Sequence, residues 1–292
     1  MTPLLLLAAL LALFSADAHL HAQTPPARAE LTAARSRVRD ETVESVALGK
    51  RMTYRVLLPE GYDGTLERYA VLYLLHGLWG SYTDWTTRTN IAEYSRTLPL
   101  IIVMPDAGNG WYVNAADGSG RYEDYVFNEL PADVVKKYRT IDSRYGRAVA
   151  GLSMGGYGAL KMALKRPGAF VVAASFSGAF NMTRDGELEK LIGGEEAQRL
   201  QRIFGPAGGD TRKQNDVFAL ASALKPPAVP YVYIDCGIAD NALIAANRDV
   251  VAALHKAGVA YEYHEVPGAH SWDYWDRRIR EFLPILIRKL AN

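Results

Sequence analysis

The chain has 292 residues, enough for one large α/β domain with a substantial core or for two modest ones. Apolar residues make up 49% and charged residues 22%, the balance of a soluble globular enzyme. A formal net charge of +1, with no basic stripe and no arginine-rich tail, argues against nucleic acid as the main partner.

Leu4 to Phe14 is an apolar run of signal-peptide length, followed by small residues that offer cleavage near Ala18 or Ala22. The run is too short to span a bilayer comfortably, so a cleaved signal with no stable membrane anchor is expected, a buried N-terminal helix or an uncleaved anchor being the alternatives. Residues 1–22 read as a signal peptide, and residues 23–35, with Pro25, Pro26 and several alanines, as a flexible leader. The only cysteine, Cys236, has no disulfide partner within the chain. An exported protein without disulfides fits a bacterial periplasmic or secreted location.

From residue 36 to the end the pattern is that of one α/β domain. Val38 to Val46 and Met52 to Leu58 read as paired strands around Gly49-Lys50. Tyr69 to Leu75 is a continuous apolar run, as expected of a central parallel strand buried on both faces, and it ends in His76-Gly77-Leu78-Trp79-Gly80. Leu98 to Met104 reads as another buried strand, leading into a long loop that contains Trp111 and Tyr112. Tyr122 to Tyr138 has helical spacing, with Pro131 set to kink or split it.

Arg147 to Gly151 is a short buried-strand run, and Tyr157 to Lys165 carries apolar residues at helical spacing. Between them Gly151-Leu152-Ser153-Met154-Gly155 fits the G-x-S-x-G nucleophile elbow, a sharp strand-to-helix turn that presents a serine hydroxyl above a sheet. Val171 to Ser177 is the next strand. Gly178 to Pro230 then interrupts the alternation and reads as a cap-like insertion. Regularity returns with strand Tyr231 to Cys236, a helix near Ala242 to Ala257, strand Tyr261 to Val266 and a last helix near Tyr274 to Leu290.

A lone serine is a poor nucleophile and needs a base, an orienting acid and oxyanion donors. Three histidines follow Ser153. His255 lies near the end of a helix and His264 within a strand, whereas His270 follows a strand and a Pro267-Gly268 turn, so His270 is the general-base candidate. Oxyanion donors come from the residue after the nucleophile, Met154, and from the loop after the earlier strand, where Leu78 is the candidate. His76 reads as a structural residue fixing that loop. For the acid, Asp235 falls within a strand, while Asp240 leaves the strand's carboxyl end in a loop, where such acids are delivered.

Together His76-Gly77-Leu78, Gly151 to Gly156, Asp235 to Asp240 and Gly268-Ala269-His270-Ser271-Trp272 resemble the esterase D-like family of α/β-hydrolases. That family includes feruloyl and acetyl xylan esterases, S-formylglutathione hydrolases and mycobacterial mycolyltransferases. The resemblance implies an α/β-hydrolase fold of about eight mostly parallel strands with helices on both faces, ester substrates, no cofactor, and Ser153, Asp240 and His270 as a catalytic triad. No metal site is suggested, because H-E-x-x-H is missing and Asp117 to Gly120 lacks calcium-loop spacing.

All five tryptophans fall in loops expected around the cleft. Trp79, Trp111 and Trp272, with Tyr112, are candidates for contact with a carbohydrate or aromatic ester, and Trp85 and Trp275 for packing. Small acyl esters are the next substrate class, and S-formylglutathione a third that the leader disfavours. Loss of catalysis in favour of a binding module is argued against by the intact Ser153, Asp240 and His270.

Overall fold

The computed structural model describes residues 37–184, 194–224 and 229–290. The expected signal peptide and leader lie outside them, as do residues 185–193 and 225–228 of the expected insertion. Eight strands form one sheet: β1 Val38–Ser45, β2 Lys50–Leu57, β3 Ala70–Leu75, β4 Leu100–Pro105, β5 Arg147–Leu152, β6 Val172–Phe176, β7 Tyr231–Gly237 and β8 Tyr261–Val266. Their order is β1-β2-β4-β3-β5-β6-β7-β8. The β1–β2 and β2–β4 pairs are antiparallel and all other neighbours are parallel.

The reason for two-sided burial is written in β3, whose six residues are all apolar and all buried. Its pleat sends Ala70, Leu72 and Leu74 into one core and Val71, Tyr73 and Leu75 into the other. The helices that matter for the site are α1 Asp84–Arg88, α2 Leu130–Lys137, α3 Met154–Lys165, α4 Gly194–Phe204, α5 Ile244–Lys256 and α6 Trp272–Leu290. Leu160 and Met162 of α3 and Val250 and Leu254 of α5 cover one face of the sheet. Ile279, Phe282 and Leu286 of α6 cover the other.

The segment Tyr122 to Tyr138 divides next to Pro131: a short turn, Tyr122–Asp124, widens into a π turn, Tyr125–Glu129, and α2 begins at Leu130. Pro131 thereby sits in the first turn of α2, where a missing N–H costs least. The last helix starts at Trp272, so Trp272 and Trp275 stand on a helix rather than in a loop, and Trp85 stands on α1. Between β6 and β7, where the insertion was expected, α4 is joined by short helices Phe180–Thr183, Asp210–Gln214 and Val217–Ala223.

The pleat of β7 also decides between two aspartates. Ile234 and Cys236 face the core covered by α5, and Tyr233 faces α6. Asp235, fully buried, turns the same way as Tyr233: it accepts from Tyr274 Oη–H at 2.8 Å and from Arg278 Nε–H at 2.9 Å. This pair ties α6 to the sheet. Asp235→Asn leaves the buried Arg278 guanidinium with only the exposed Glu281 as a charge partner, which costs about 3 kcal/mol and lowers Tm by about 10 °C. Thermal denaturation checks this, and an unchanged Tm would remove the pair from the anchoring of α6.

Candidate active site

Ser153 sits between β5 and α3 with φ 53° and ψ −115°, a left-handed conformation that side chains other than glycine rarely adopt. It is held there from both sides. Its N–H donates to the Phe176 carbonyl at 2.9 Å, and its own carbonyl accepts from Tyr157 and Ala179 N–H at 2.9 and 3.1 Å. The turn is tight enough that a Cβ on Gly151 would lie 2.4 Å from the Gly155 carbonyl carbon, and one on Gly155 would lie 2.5 Å from the Leu75 oxygen. Only glycine lets α3 start this close to β3 and β5.

The other candidate side chains arrive on loops at the same sheet edge. Asp240 follows β7, buried, with its N–H on the Gly237 carbonyl and its carbonyl accepting from Ile244 at the start of α5. His270 follows β8. Ala239 N–H donates to the Gly268 carbonyl at 2.9 Å, which locks the two loops together. The His270 Nδ1–H donates to Asp240 Oδ2 at 2.7 Å, which leaves Nε2 to accept from Ser153 Oγ–H at 3.0 Å. Trp275 presents its ring at 88° to the His270 ring, with centroids 4.8 Å apart, and limits the tilt of the imidazole. Asp240, not Asp235, is therefore the carboxylate beside His270.

Leu78 lies in the loop after β3 and lines the same cleft as Ser153. Met154 opens α3, where the first N–H groups have no acceptor within the helix. The loop carrying Leu78 is fixed by His76, which is buried: its Nε2 accepts from Ala107 N–H at 3.0 Å and its Nδ1–H donates to the Gly77 carbonyl at 2.7 Å. Burial pushes the His76 pKa below the usual value and favours this neutral form.

The cleft above Ser153 has a volume of about 570 Å³. Trp79, Trp111, Trp272 and Trp275 contribute to its walls, with Met182 from the segment between β6 and β7 and Leu243 from the loop after β7. Trp79 is 74% exposed at the rim and its N–H donates to Asn109 Oδ1 at 2.8 Å. Trp111 forms an inner wall, packed edge-on against Tyr157 and Phe204. Trp85 is pure packing, its indole N–H donating to the Leu75 carbonyl at 3.1 Å.

Tyr112 does not meet the expectation of substrate contact. It is fully buried, its hydroxyl donates to the His76 carbonyl at 2.9 Å, and its own carbonyl accepts from Lys161 Nζ. Lys161 is itself fully buried on α3 and paired with Glu123 at 2.7 Å, and burial brings its pKa down to about 8. Sequence reasoning missed this support, and missed Asp84 and Arg88 in the cleft wall. A usable signal existed for the latter two, since they follow the carboxyl end of a central strand, where ligands bind in open α/β sheets. Tyr112→Phe removes a buried donor and leaves the His76 carbonyl short of a partner. It lowers stability by about 1–3 kcal/mol, read as a fall in Tm; an unchanged Tm would make the hydroxyl dispensable.

Residues 45–286 match the family described as "Putative esterase". The acetyl esterase of Caldicellulosiruptor saccharolyticus is 30% identical over 221 residues, which cover 74% of this chain and 83% of that protein. An esterase of Mycobacterium tuberculosis is 32% identical over 253 residues, 78% of this chain and 54% of that protein, so the chain spans about half the length of that relative. FphF, a fluorophosphonate-binding serine hydrolase of Staphylococcus aureus, superposes with a TM-score of 0.75 at 27% identity, covering 87% of this chain and 98% of that one. The structure of a ferulic acid esterase gives a TM-score of 0.75 at 26% identity over the same shares. The match runs from the end of β1 into the last helix, and the relatives and folds agree: this chain belongs to the esterase family and is a carboxylic ester hydrolase with an α/β-hydrolase fold.

Proposed function

We propose that the protein is an exported serine esterase in which Ser153 is the nucleophile, His270 the general base and acid, and Asp240 the orienting carboxylate. The unbroken chain Asp240 Oδ2, His270 Nδ1, His270 Nε2, Ser153 Oγ, with links of 2.7 and 3.0 Å, is the observation that carries this reading. As Ser153 Oγ bonds to the ester carbon, its proton passes to His270 Nε2 and the carbonyl oxygen takes up negative charge. N–H groups of Leu78 and Met154 receive that oxyanion. When the bond to the alcohol oxygen breaks, His270 returns the proton to it. Water then repeats the sequence, losing a proton to His270 and releasing the acid from Ser153.

Asp240 contributes by accepting the Nδ1–H, which fixes the tautomer and stabilises the imidazolium. The preferred substrates in this reading are feruloyl or acetyl esters of carbohydrates. A cleft of about 570 Å³ with tryptophan walls supports it, since aromatic faces suit both a cinnamoyl-type acid and a sugar ring. So do the acetyl esterase and the ferulic acid esterase among the similar proteins. Export rests on the Leu4 to Phe14 run and is tested by N-terminal sequencing of the exported protein. Cleavage near Ala18 or Ala22 supports it, and an intact Met1 on cytoplasmic protein refutes it.

Fluorophosphonate labelling followed by peptide mass spectrometry places the adduct on Ser153, and an adduct on any other serine would sink the assignment. Ser153→Ala folds and loses nearly all turnover. Asp240→Asn keeps the fold and loses on the order of 10⁴ in kcat, the size of the wrong-tautomer effect. Retained turnover per titrated site would remove Asp240 from its role. A parallel assay of feruloyl, acetyl-sugar, plain alkyl and S-formylglutathione substrates tests the substrate class, and a preference for plain alkyl esters would shift it to generic short-chain esters.

A further inference from the structure

Besides His270, two charged side chains line the cleft, and they stand one helical turn apart on α1: Asp84 and Arg88. Asp84 accepts from Ser81 Oγ–H at 3.1 Å and closes against Gly80, on the side of the Leu78 loop. Arg88 is exposed further out, with its guanidinium over the Trp272 ring, 5.6 Å from the centroid. Among the described residues it makes no hydrogen bond and has no carboxylate within ion-pair distance.

On its other side Arg88 borders a small polar recess with Asp273 and Asp276. Asp276 is occupied by Asn90 N–H and Tyr94 Oη–H, at 2.7 and 2.8 Å. Asp273 lies in the first turn of α6, where a carboxylate complements the helix dipole. Arg88 thus keeps a planar fork of donors available to a ligand in the cleft.

The position of this cation relative to the reacting atoms follows from ring contacts. The His270 ring meets Trp275, and Trp275 meets Trp272 at 5.3 Å between centroids, so one continuous wall runs from the imidazole to Arg88. His270 must hand its proton to the departing alcohol oxygen, so the departing group lies along the wall that begins at His270.

We propose that the wall from Trp275 through Trp272 to Arg88 is the leaving-group subsite, and that Arg88 selects alcohols that carry a carboxylate at their far end, such as hydroxyaryl acids or uronic-acid sugars. This rests on the serine-esterase reading above. The chemistry is unchanged: the Oγ–acyl bond forms, the ester bond to the alcohol breaks, and the alcohol oxygen leaves with the His270 proton. The Arg88 fork pairs with the distant carboxylate, a charge-assisted contact that a neutral alcohol lacks.

The probes are 4-acetoxybenzoate and its methyl ester, which share acyl group and reacting bond and differ in one charge. The ratio of their kcat/KM values is compared between wild type and Arg88→Gln, so that intrinsic reactivity cancels. The ratio falls about two- to fivefold in Arg88→Gln, as expected for a partly exposed ion pair, falls further in Arg88→Glu, and is intermediate in Arg88→Lys. Added salt lowers it in wild type more than in Arg88→Gln.

An unchanged ratio in enzyme that still hydrolyses the methyl ester overturns this inference alone. A fall seen instead for mono-4-nitrophenyl succinate against 4-nitrophenyl acetate, where the charge sits on the acyl group, overturns the leaving-group assignment. Absence of both ester turnover and fluorophosphonate labelling in wild type overturns the serine-esterase reading itself, and this inference with it.

Discussion

The rest of the site depends on the contact between the start of α3 and the end of β3. Gly155 approaches so closely that a methyl group there would fall 2.5 Å from the Leu75 oxygen and 2.6 Å from the His76 oxygen. That contact brings Ser153 and the Leu78 loop side by side. It also forces Ser153 into its left-handed backbone, a conformation worth about 1–3 kcal/mol of strain that persists only where the surroundings over-determine it. Among the described residues, five non-glycine residues have positive φ: Trp79, Trp111, Tyr112, Ser153 and Ser177. They follow β3, β4, β5 and β6, so the strain is gathered at one edge of the sheet.

What resists this strain is a relay of buried polar groups behind the site. Lys161 donates to the Tyr112 carbonyl, Tyr112 donates to the His76 carbonyl, and His76 bridges Ala107 and Gly77. Together the links tie α3 to the loop after β4, and that loop to the one after β3. Each member is also buried, so each unmade bond would carry the full cost of a desolvated polar group. Lys161 shows the balance at its sharpest. Desolvation lowers its pKa, and Glu123 keeps the charge tolerable by accepting from it at 2.7 Å.

Much of the fold and of the candidate site was legible because it depends on short sequence range. The unbroken apolar run of β3, short and ended by His76-Gly77, reads as a strand covered on both faces, and the glycines flanking Ser153 mark a turn that needs close backbone approach. His270 stood out because its rivals lay on a helix and in a strand. Asp235 and Asp240 separated by the same logic, since pleat direction committed one to α6 while the other was free to turn on a loop. The roles of Tyr112 and Lys161 were not legible, because each is set by a partner far along the chain: Tyr112 by His76, Lys161 by Glu123. An aromatic residue in a cleft loop has the same local signature whether it faces the cleft or the core. Trp111 and Tyr112 are adjacent, and only one of them reaches the cleft.

The construction of the cleft also separates what is common to ester hydrolysis from what is particular to this chain. Ser153, His270 and Asp240 are fixed through backbone bonds between loops, which tolerate change in most side chains around them. The walls are built differently. Met182 and Trp111 take their positions from the segment between β6 and β7, where Phe204 packs on Trp111 and the buried Arg212 ties the Met182 and Gly205 carbonyls together. On the opposite side Trp272 and Arg88 depend only on α1 and the first turn of α6. The two walls are thus set by different elements, the segment between β6 and β7 on one side and α1 with the start of α6 on the other, and only the second touches His270, through Trp275.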